Sequence, residues 1–333
     1  MTPLSTTAAT LQTWTAGTNH SMEYTHSYGF IFIQLLFSFF GSIGNGIVLW
    51  FLSIRIKRSP FTVYILNLAL ADMIFLLGLF IFKLILLLHP VFQVLSFLQK
   101  NANKLFILAV MGVFAYNSSL YLLTSISIER CLSVLYPIWY RCHRPKHQSM
   151  IVCAVLWMLS CLVTLAEYTL CDRRLYFSAV KGFILSPKSE CQTVYILVCI
   201  LSFLIFTPLM VLSNLVLLIK IWRSSWRRHS SKLYIVIVAT VVLFLLFALP
   251  MRVLLLLTYE QRTFPSPIAF DISTLLGSIN SAADPYVYFF VGSQGQKSGL
   301  SLRVMLQRVF REEAEPVQHA VETPAANITE TEV

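Results

Sequence analysis

A helix needs about 20 mostly apolar residues to cross about 30 Å of hydrocarbon. This chain holds seven such stretches, at 29–52, 61–88, 105–135, 149–171, 194–218, 233–259 and 268–291. The first and fifth contain no charged residue. A β-barrel strand would show about ten residues of alternating polarity, whereas these runs are continuous. Helix is the other spanning structure that satisfies its own backbone. The expected fold is an all-α membrane protein, a bundle of seven transmembrane helices.

Composition agrees. Only 12% of the 333 residues are charged, about half the share a soluble domain carries. Disorder needs the opposite balance of charge and apolarity. Seven cysteines in a chain of this length do not make a disulfide scaffold. The net charge of +10 is spread in short clusters between the apolar runs. That pattern points to membrane topology rather than to nucleic acid. If the N-terminus is outside, the inner loops carry eleven Lys and Arg residues, Arg144 among them, and the outer loops carry seven. This favours N-out, C-in, in a multi-pass membrane protein.

The chain divides accordingly. Residues 1–27 form an outer tail with no Lys or Arg, in which Asn19-His20-Ser21 fits a glycosylation acceptor. Residues 28–291 form the bundle. In 292–311, Leu302, Met305, Leu306 and Val309 recur at helical spacing among Arg303, Arg308 and Arg311, as in a short amphipathic helix on inner-leaflet lipid. Residues 312–333 form an acidic inner tail.

Ionisable groups inside a crossing are costly and mark function by default. Near mid-membrane lie Asp72 and Asp284, with Asn45, Ser119 and Asn280 at similar depth. Two carboxylates with such companions can hold a monovalent cation, sodium being the candidate, or share a proton. At the inner end of the third crossing, Glu129-Arg130-Cys131 offers an Arg that can pair with Glu129 or face an inner cavity. The outer third carries Lys83, Glu167 and Arg252, both signs together, as a zwitterionic or peptide ligand would require. Pro208, Pro250 and Pro285 fall inside the last three crossings, where each removes a backbone hydrogen bond and can bend its helix. No Gly-x-Ser-x-Gly or His-Glu-x-x-His occurs, and His143-x-x-x-His147 is a single pair, so neither an enzyme nor a metal beyond sodium is expected. A secondary transporter would show repeated halves and broken helices, and no internal repeat is visible.

In order along the chain, Gly44-Asn45-Gly46, Leu68-Ala69-Leu70-Ala71-Asp72, Glu129-Arg130-Cys131, Trp157, Pro208, Pro250 and Asp284-Pro285-Tyr286-Val287-Tyr288 resemble the motifs of rhodopsin-like G-protein-coupled receptors. The resemblance covers 28–311. The stretch from Ile128 to Pro145, with Pro60-Phe61-Thr62-Val63-Tyr64-Ile65 and Tyr288-Phe289-Phe290-Val291-Gly292-Ser293, resembles the Mas and Mas-related receptors. Phe247-Ala248-Leu249-Pro250-Met251-Arg252 and the stretch from Ser231 to Ile237 look nearer to Mas than to the pain- and itch-linked members.

The resemblance implies an extracellular peptide ligand, with an angiotensin-derived peptide suggested by Mas and an orphan sensory receptor as the competing reading. It implies a heterotrimeric G protein, through the Gq class. Glu167 would take a cationic group and Arg252 a carboxylate, with Tyr116 and Phe114 as floor and wall. Arg130, Glu129 and Tyr288 would serve coupling. Departures carry information. No Cys lies near 100–112, so the usual bridge from the third helix cannot form, and the resemblance implies Cys171 to Cys191 instead. The other five cysteines are expected to stay reduced. The position of the usual Trp switch is Ala248, that of the aminergic Asp is Gly112, and a second acid of cation-recognising relatives is Val194. His229-Ser230-Ser231-Lys232 holds no acid to restrain Arg130, so raised basal signalling is expected. The ending Thr331-Glu332-Val333 resembles a PDZ ligand.

Overall fold

The computed structural model describes residues 5–55, 59–88, 102–170, 189–223, 231–250, 253 and 267–293. Every long element among them is helical. Helix α1 is Ser5–Ile54, α2 Pro60–Leu88, α3 Ala102–Leu135 and α4 Gln148–Leu170. Helix α5 joins Ser189–Cys199, a π-helical Ile200–Phe206 and Thr207–Arg223. Helix α6 joins Ser231–Leu243 to a π-helical Phe244–Ala248, and α7 is Pro267–Ser293. A short helix, Pro137–Cys142, lies between α3 and α4.

Five stretches are long and apolar enough to cross a membrane: Tyr28–Ile54, Pro60–Leu88, Ile107–Leu135, Gln148–Leu170 and Thr193–Lys220. In α6 the described apolar stretch is the shorter Ile235–Ala248. Helix α7 is 27 residues long, enough to span at 1.5 Å per residue. Its hydropathy is diluted by Asp271, Ser273, Thr274, Ser278, Asn280, Ser281 and Asp284. Most of these polar side chains are buried against other helices.

Local chemistry sets the helix starts. Ser59 and Thr62 cap α2 reciprocally: the Thr62 N–H donates to Ser59 Oγ at 3.2 Å, and the Ser59 N–H donates to Thr62 Oγ1 at 2.8 Å. Pro60 occupies the first helical position, where no N–H is needed. Pro137 opens the short inner helix in the same way.

Helix α3 is central, packing on α2, α4, α5 and α6, while α1 packs on α2 and α7. Tyr64, Ile65, Leu68, Leu76, Leu120, Tyr121 and Phe244 are among the fully buried side chains of one continuous core. Outward-facing apolar residues, such as Phe32 and Phe40 on α1 or Val155 and Leu162 on α4, form the surface lipid would cover.

The proline-bearing helices differ from the expectation of simple bends. In α5 the Thr207 N–H reaches Ser202 O, and in α6 the Leu249 N–H reaches Phe244 O, both five residues back. A wide turn therefore precedes Pro208 and Pro250, absorbing the missing donor of each ring. Pro285 lies inside α7 with no such turn.

Close approach of α1 and α7 rests on Gly41. A Cβ there would sit 2.6 Å from Ala282 Cβ and 2.8 Å from Leu76 Cδ1. Gly41→Val should cost about 1–3 kcal/mol by overpacking, read as a lower thermal midpoint of the detergent-purified protein. Gly46→Ala, which meets nothing within 4 Å, should leave that midpoint unchanged.

Candidate functional site

The buried polar groups fall into three tiers. In the outer tier, Lys83 on α2 is almost fully buried and its Nζ donates to Asp271 Oδ1 on α7 at 2.7 Å. Gln34 Nε2 on α1 donates to Asp271 O at 2.8 Å and to Thr274 Oγ1 at 2.7 Å. In the sequence Lys83 is one of three outer charges but not one of the expected ligand contacts, and Asp271 and Gln34 do not stand out. In the structure the three link α1, α2 and α7.

Glu167 is 4% exposed on α4. Ser160, Val163, Thr164 and Glu167 are buried together at helical spacing, so this face looks into the bundle. Asn117 Nδ2 of α3 donates to Thr164 Oγ1 at 3.4 Å, one turn below Glu167. Val163 packs with Val194 and Val198 of α5.

Tyr116 and Phe114 lie on different faces of α3. The Tyr116 hydroxyl donates to the Ala248 carbonyl at 2.8 Å, in the wide turn of α6. Its ring stacks near Phe244 at 6.4 Å. The Phe114 ring packs on Trp157 at 5.2 Å, and its carbonyl accepts from Ser118 and Ser160. Trp157 Nε1 donates in turn to Asn67 Oδ1 on α2 at 2.9 Å. No described atom lies within 4 Å of where a Cβ would stand on Gly112.

In the middle tier, Ser119 Oγ donates to Asp72 Oδ1 at 2.9 Å. Asp72 and Asp284 face each other closely, with Ser281 beside them. Asp72, Asp284, Asn280 and Asn45 are all buried. Asn45 Nδ2 donates to the carbonyls of Gly41 and Ser281, each at 3.0 Å. Asp72 Oδ2, both Asp284 carboxylate oxygens, Asn45 Oδ1 and Asn280 Oδ1 meet no donor among the described residues. Several buried oxygen acceptors that meet no donor suit a hard cation or a shared proton. Tyr288 is buried within electrostatic reach of both acids.

In the inner tier, Glu129 Oε1 accepts from Tyr64 OH of α2 at 2.9 Å and from Arg144 Nη2 at 2.8 Å. Burial works against the charge of Arg144, but its hydrogen bond to Glu129 and the nearby Tyr140 outweigh it and hold the guanidinium above its ordinary range. The Arg130 guanidinium lies 3.6 Å from the centroid of the Phe61 ring. Of the two arrangements open to Arg130 in the sequence, pairing with Glu129 is not found among the described residues. Further out along α3, Ser127 Oγ accepts from Asn214 Nδ2 of α5 at 2.8 Å.

Arg252, Cys171, Thr331 and Val333 lie outside the described residues, as do 294–333, which include most of the expected amphipathic helix and all of the inner tail. Asn19 and Cys191 lie on helical backbone whose side chains are not described. Cys131, Cys142, Cys153, Cys161 and Cys199 are thiols.

The outer ion pair yields a direct test. Lys83→Met alone should cost about 3–5 kcal/mol, because it leaves the Asp271 carboxylate uncompensated. Lys83→Met combined with Asp271→Leu should recover most of that loss in thermal unfolding of the purified protein.

The chain matches known proteins over the same region. The family described as 7 transmembrane receptor (rhodopsin family) matches residues 44–288. Proto-oncogene Mas of Rattus norvegicus is 50% identical over 278 residues, covering 83% of this chain and 82% of that protein. Proto-oncogene Mas of Homo sapiens is 49% identical, covering 83% and 81%. Mas-related G-protein coupled receptor member H of Rattus norvegicus is 42% identical, covering 89% and 87%. The chain therefore belongs to the rhodopsin family of seven-transmembrane receptors, in its Mas-related branch: a multi-pass membrane receptor, not an enzyme, that answers an extracellular ligand through a heterotrimeric G protein.

Proposed function

We propose that the ligand is an extracellular peptide bearing both a basic group and a carboxylate, read from the outer end of the bundle with the N-terminus outside. Glu167 takes the basic group and Arg252 the carboxylate, where a planar guanidinium can pair through two parallel hydrogen bonds. Phe114 and Tyr116 border the site from α3, and an angiotensin-derived peptide is the first class to screen. The observation that carries this reading is the burial of an acidic side chain at Glu167, on the inward face of a crossing. An ionisable group inside a crossing is costly and marks function by default. The bond implied between Cys171 and Cys191 would tie α4 to α5 beside it, and a glycan on Asn19 would mark the outer tail.

Output runs through Arg130 and Tyr288 to the Gq class, with Glu129 beside them, and the Thr331–Val333 ending gives a PDZ domain a C-terminal carboxylate to capture. Ligand binding shifts a population already sampled by the empty receptor rather than forcing a new state. Screening peptides for calcium release tests the pocket. Glu167→Ala and Arg252→Ala should each weaken potency by tenfold or more, on the order of 1.4 kcal/mol or above for a charged contact. An unchanged response in both variants at equal surface density removes the assignment.

Asp72 and Asp284, with Ser119 and Asn280, supply the acceptor oxygens for a sodium ion or a shared proton. Without an acid in 229–232 to hold Arg130, ligand-free output should exceed that of cells lacking the receptor. Replacing sodium with a large organic cation should raise that output further, and Asp72→Asn should abolish the sodium effect. Nucleotide exchange in isolated membranes checks both, and sodium-independent wild-type output would leave proton sharing as the role of the pair.

A further inference from the structure

The middle tier holds two ionisable groups of the same sign. Asp72 on α2 and Asp284 on α7 are buried and face each other closely. Among the described residues neither acid pairs with a Lys or Arg. Lys83, the one cation on α2, is taken by Asp271 nearer the outer end. Helix α7 carries no Lys or Arg. When both acids are ionised, two negative charges need balance, not one.

The oxygens can be counted as well. Asp72 Oδ2 and both Asp284 carboxylate oxygens meet no donor among the described residues, nor does Asn280 Oδ1. Asn280 is buried four residues before Asp284, so the two share a face of α7. Asp72 Oδ1 accepts from Ser119 Oγ at 2.9 Å, and a hydroxyl oxygen that donates keeps its lone pairs. Three helices thus bring six side-chain oxygens to one level of the bundle: four carboxylate, one amide and one hydroxyl.

Sodium matches this set poorly. Its single charge leaves one carboxylate uncompensated in a low-dielectric interior, which is costly. Balance returns only if the pair also keeps a proton, and that proton occupies one of the oxygens the ion needs. Calcium takes about six to eight oxygens in a flexible shell, with carboxylates bound through one oxygen or both. Its two charges cancel the two acids. Magnesium demands near-ideal octahedral geometry and gives up its waters reluctantly, so a buried cage of side chains suits it less.

We propose that Asp72 and Asp284, with Ser119 and Asn280, form a divalent-cation site that takes calcium in preference to sodium and fastens α2, α3 and α7 together. The proposal rests on the cation reading of this pair given above and names the ion. Sodium is then the weaker occupant of the same oxygens, effective when calcium is withheld. Calcium should act in the same direction as sodium and lower ligand-free output.

The test follows the thermal midpoint of the purified full-length receptor, stripped with a chelator, at constant ionic strength. Calcium chloride at about 1 mM should raise the midpoint by about 3 °C or more, and magnesium chloride at the same concentration should raise it less. Asp284→Asn keeps the shape and one oxygen while removing one charge. It should lose the calcium shift and keep a sodium shift, and Asp72→Asn, which removes the same charge from α2, should lose the calcium shift too. Nucleotide exchange in isolated membranes, at fixed magnesium and without ligand, should fall about five-fold with calcium in the wild type and should not respond to calcium in either variant. A wild-type receptor stabilised by sodium but not by calcium overturns the proposal and leaves the monovalent reading standing. A calcium shift of equal size in both variants puts the ion elsewhere and also overturns it. A wild-type receptor indifferent to both ions removes every cation from the pair.

Discussion

Hydrocarbon accepts no hydrogen bonds, so a polar side chain on a membrane helix must find its partner on another helix or at the membrane surface. That constraint organises this molecule. Among the described residues, polar side chains are collected along the lines where helices meet, and the central helix α3 carries cross-links to α2, α4, α5 and α6. Within one turn of α3, Tyr116 reaches α6, Asn117 and Ser118 reach α4, and Ser119 reaches α2. Lower down, Ser127 meets Asn214 of α5 and Glu129 meets Tyr64 of α2. Each bond forbids rotation of α3 about its axis, because a turn of one residue would strand several donors at once.

The sequence revealed the elements and the middle tier because both depend on local or intrinsic properties. An apolar run of sufficient length has few alternatives to a crossing, and an acid within such a run is conspicuous wherever it sits. Asp72, Ser119 and Asp284 could be assigned to one depth by counting turns from the ends of their helices. What counting cannot supply is which side of a helix meets which neighbour. Lys83 and Asp271 are 188 residues apart, and Gln34 reaches Thr274 across 240. Lys83 had no visible partner in the sequence because Asp271 stands near the end of another crossing, where an acid draws little notice.

Arg144 was hidden for a different reason. Inner loops are expected to carry cations, and a cation that satisfies the topology rule invites no further question. Its burial became visible only once the short helix Pro137–Cys142 turned the loop back beneath α3 and α4. A signal did exist: Tyr64 and Glu129 are both polar, both deep in their helices and both near the inner end, so a third polar partner was needed between them. The wide turns before Pro208 and Pro250 were equally silent, because a missing N–H predicts a local defect without saying whether the helix bends or widens.

The absence of an indole at Ala248 now has a structural counterpart. A small side chain at that position opens room beside α3, and the Tyr116 ring lies there with Phe244, its hydroxyl on the Ala248 carbonyl. That carbonyl closes the π-helical segment, just before the proline, where the regular ladder of α6 is already disturbed. A side-chain hydroxyl therefore supports the backbone at the wide turn of α6. Any movement of the inner end of α6 would have to pivot near this point or break the contact. Tyr116 sits three positions from Ser119, which donates to Asp72. The contact with α6 and the middle tier are thus joined through less than one turn of a single helix.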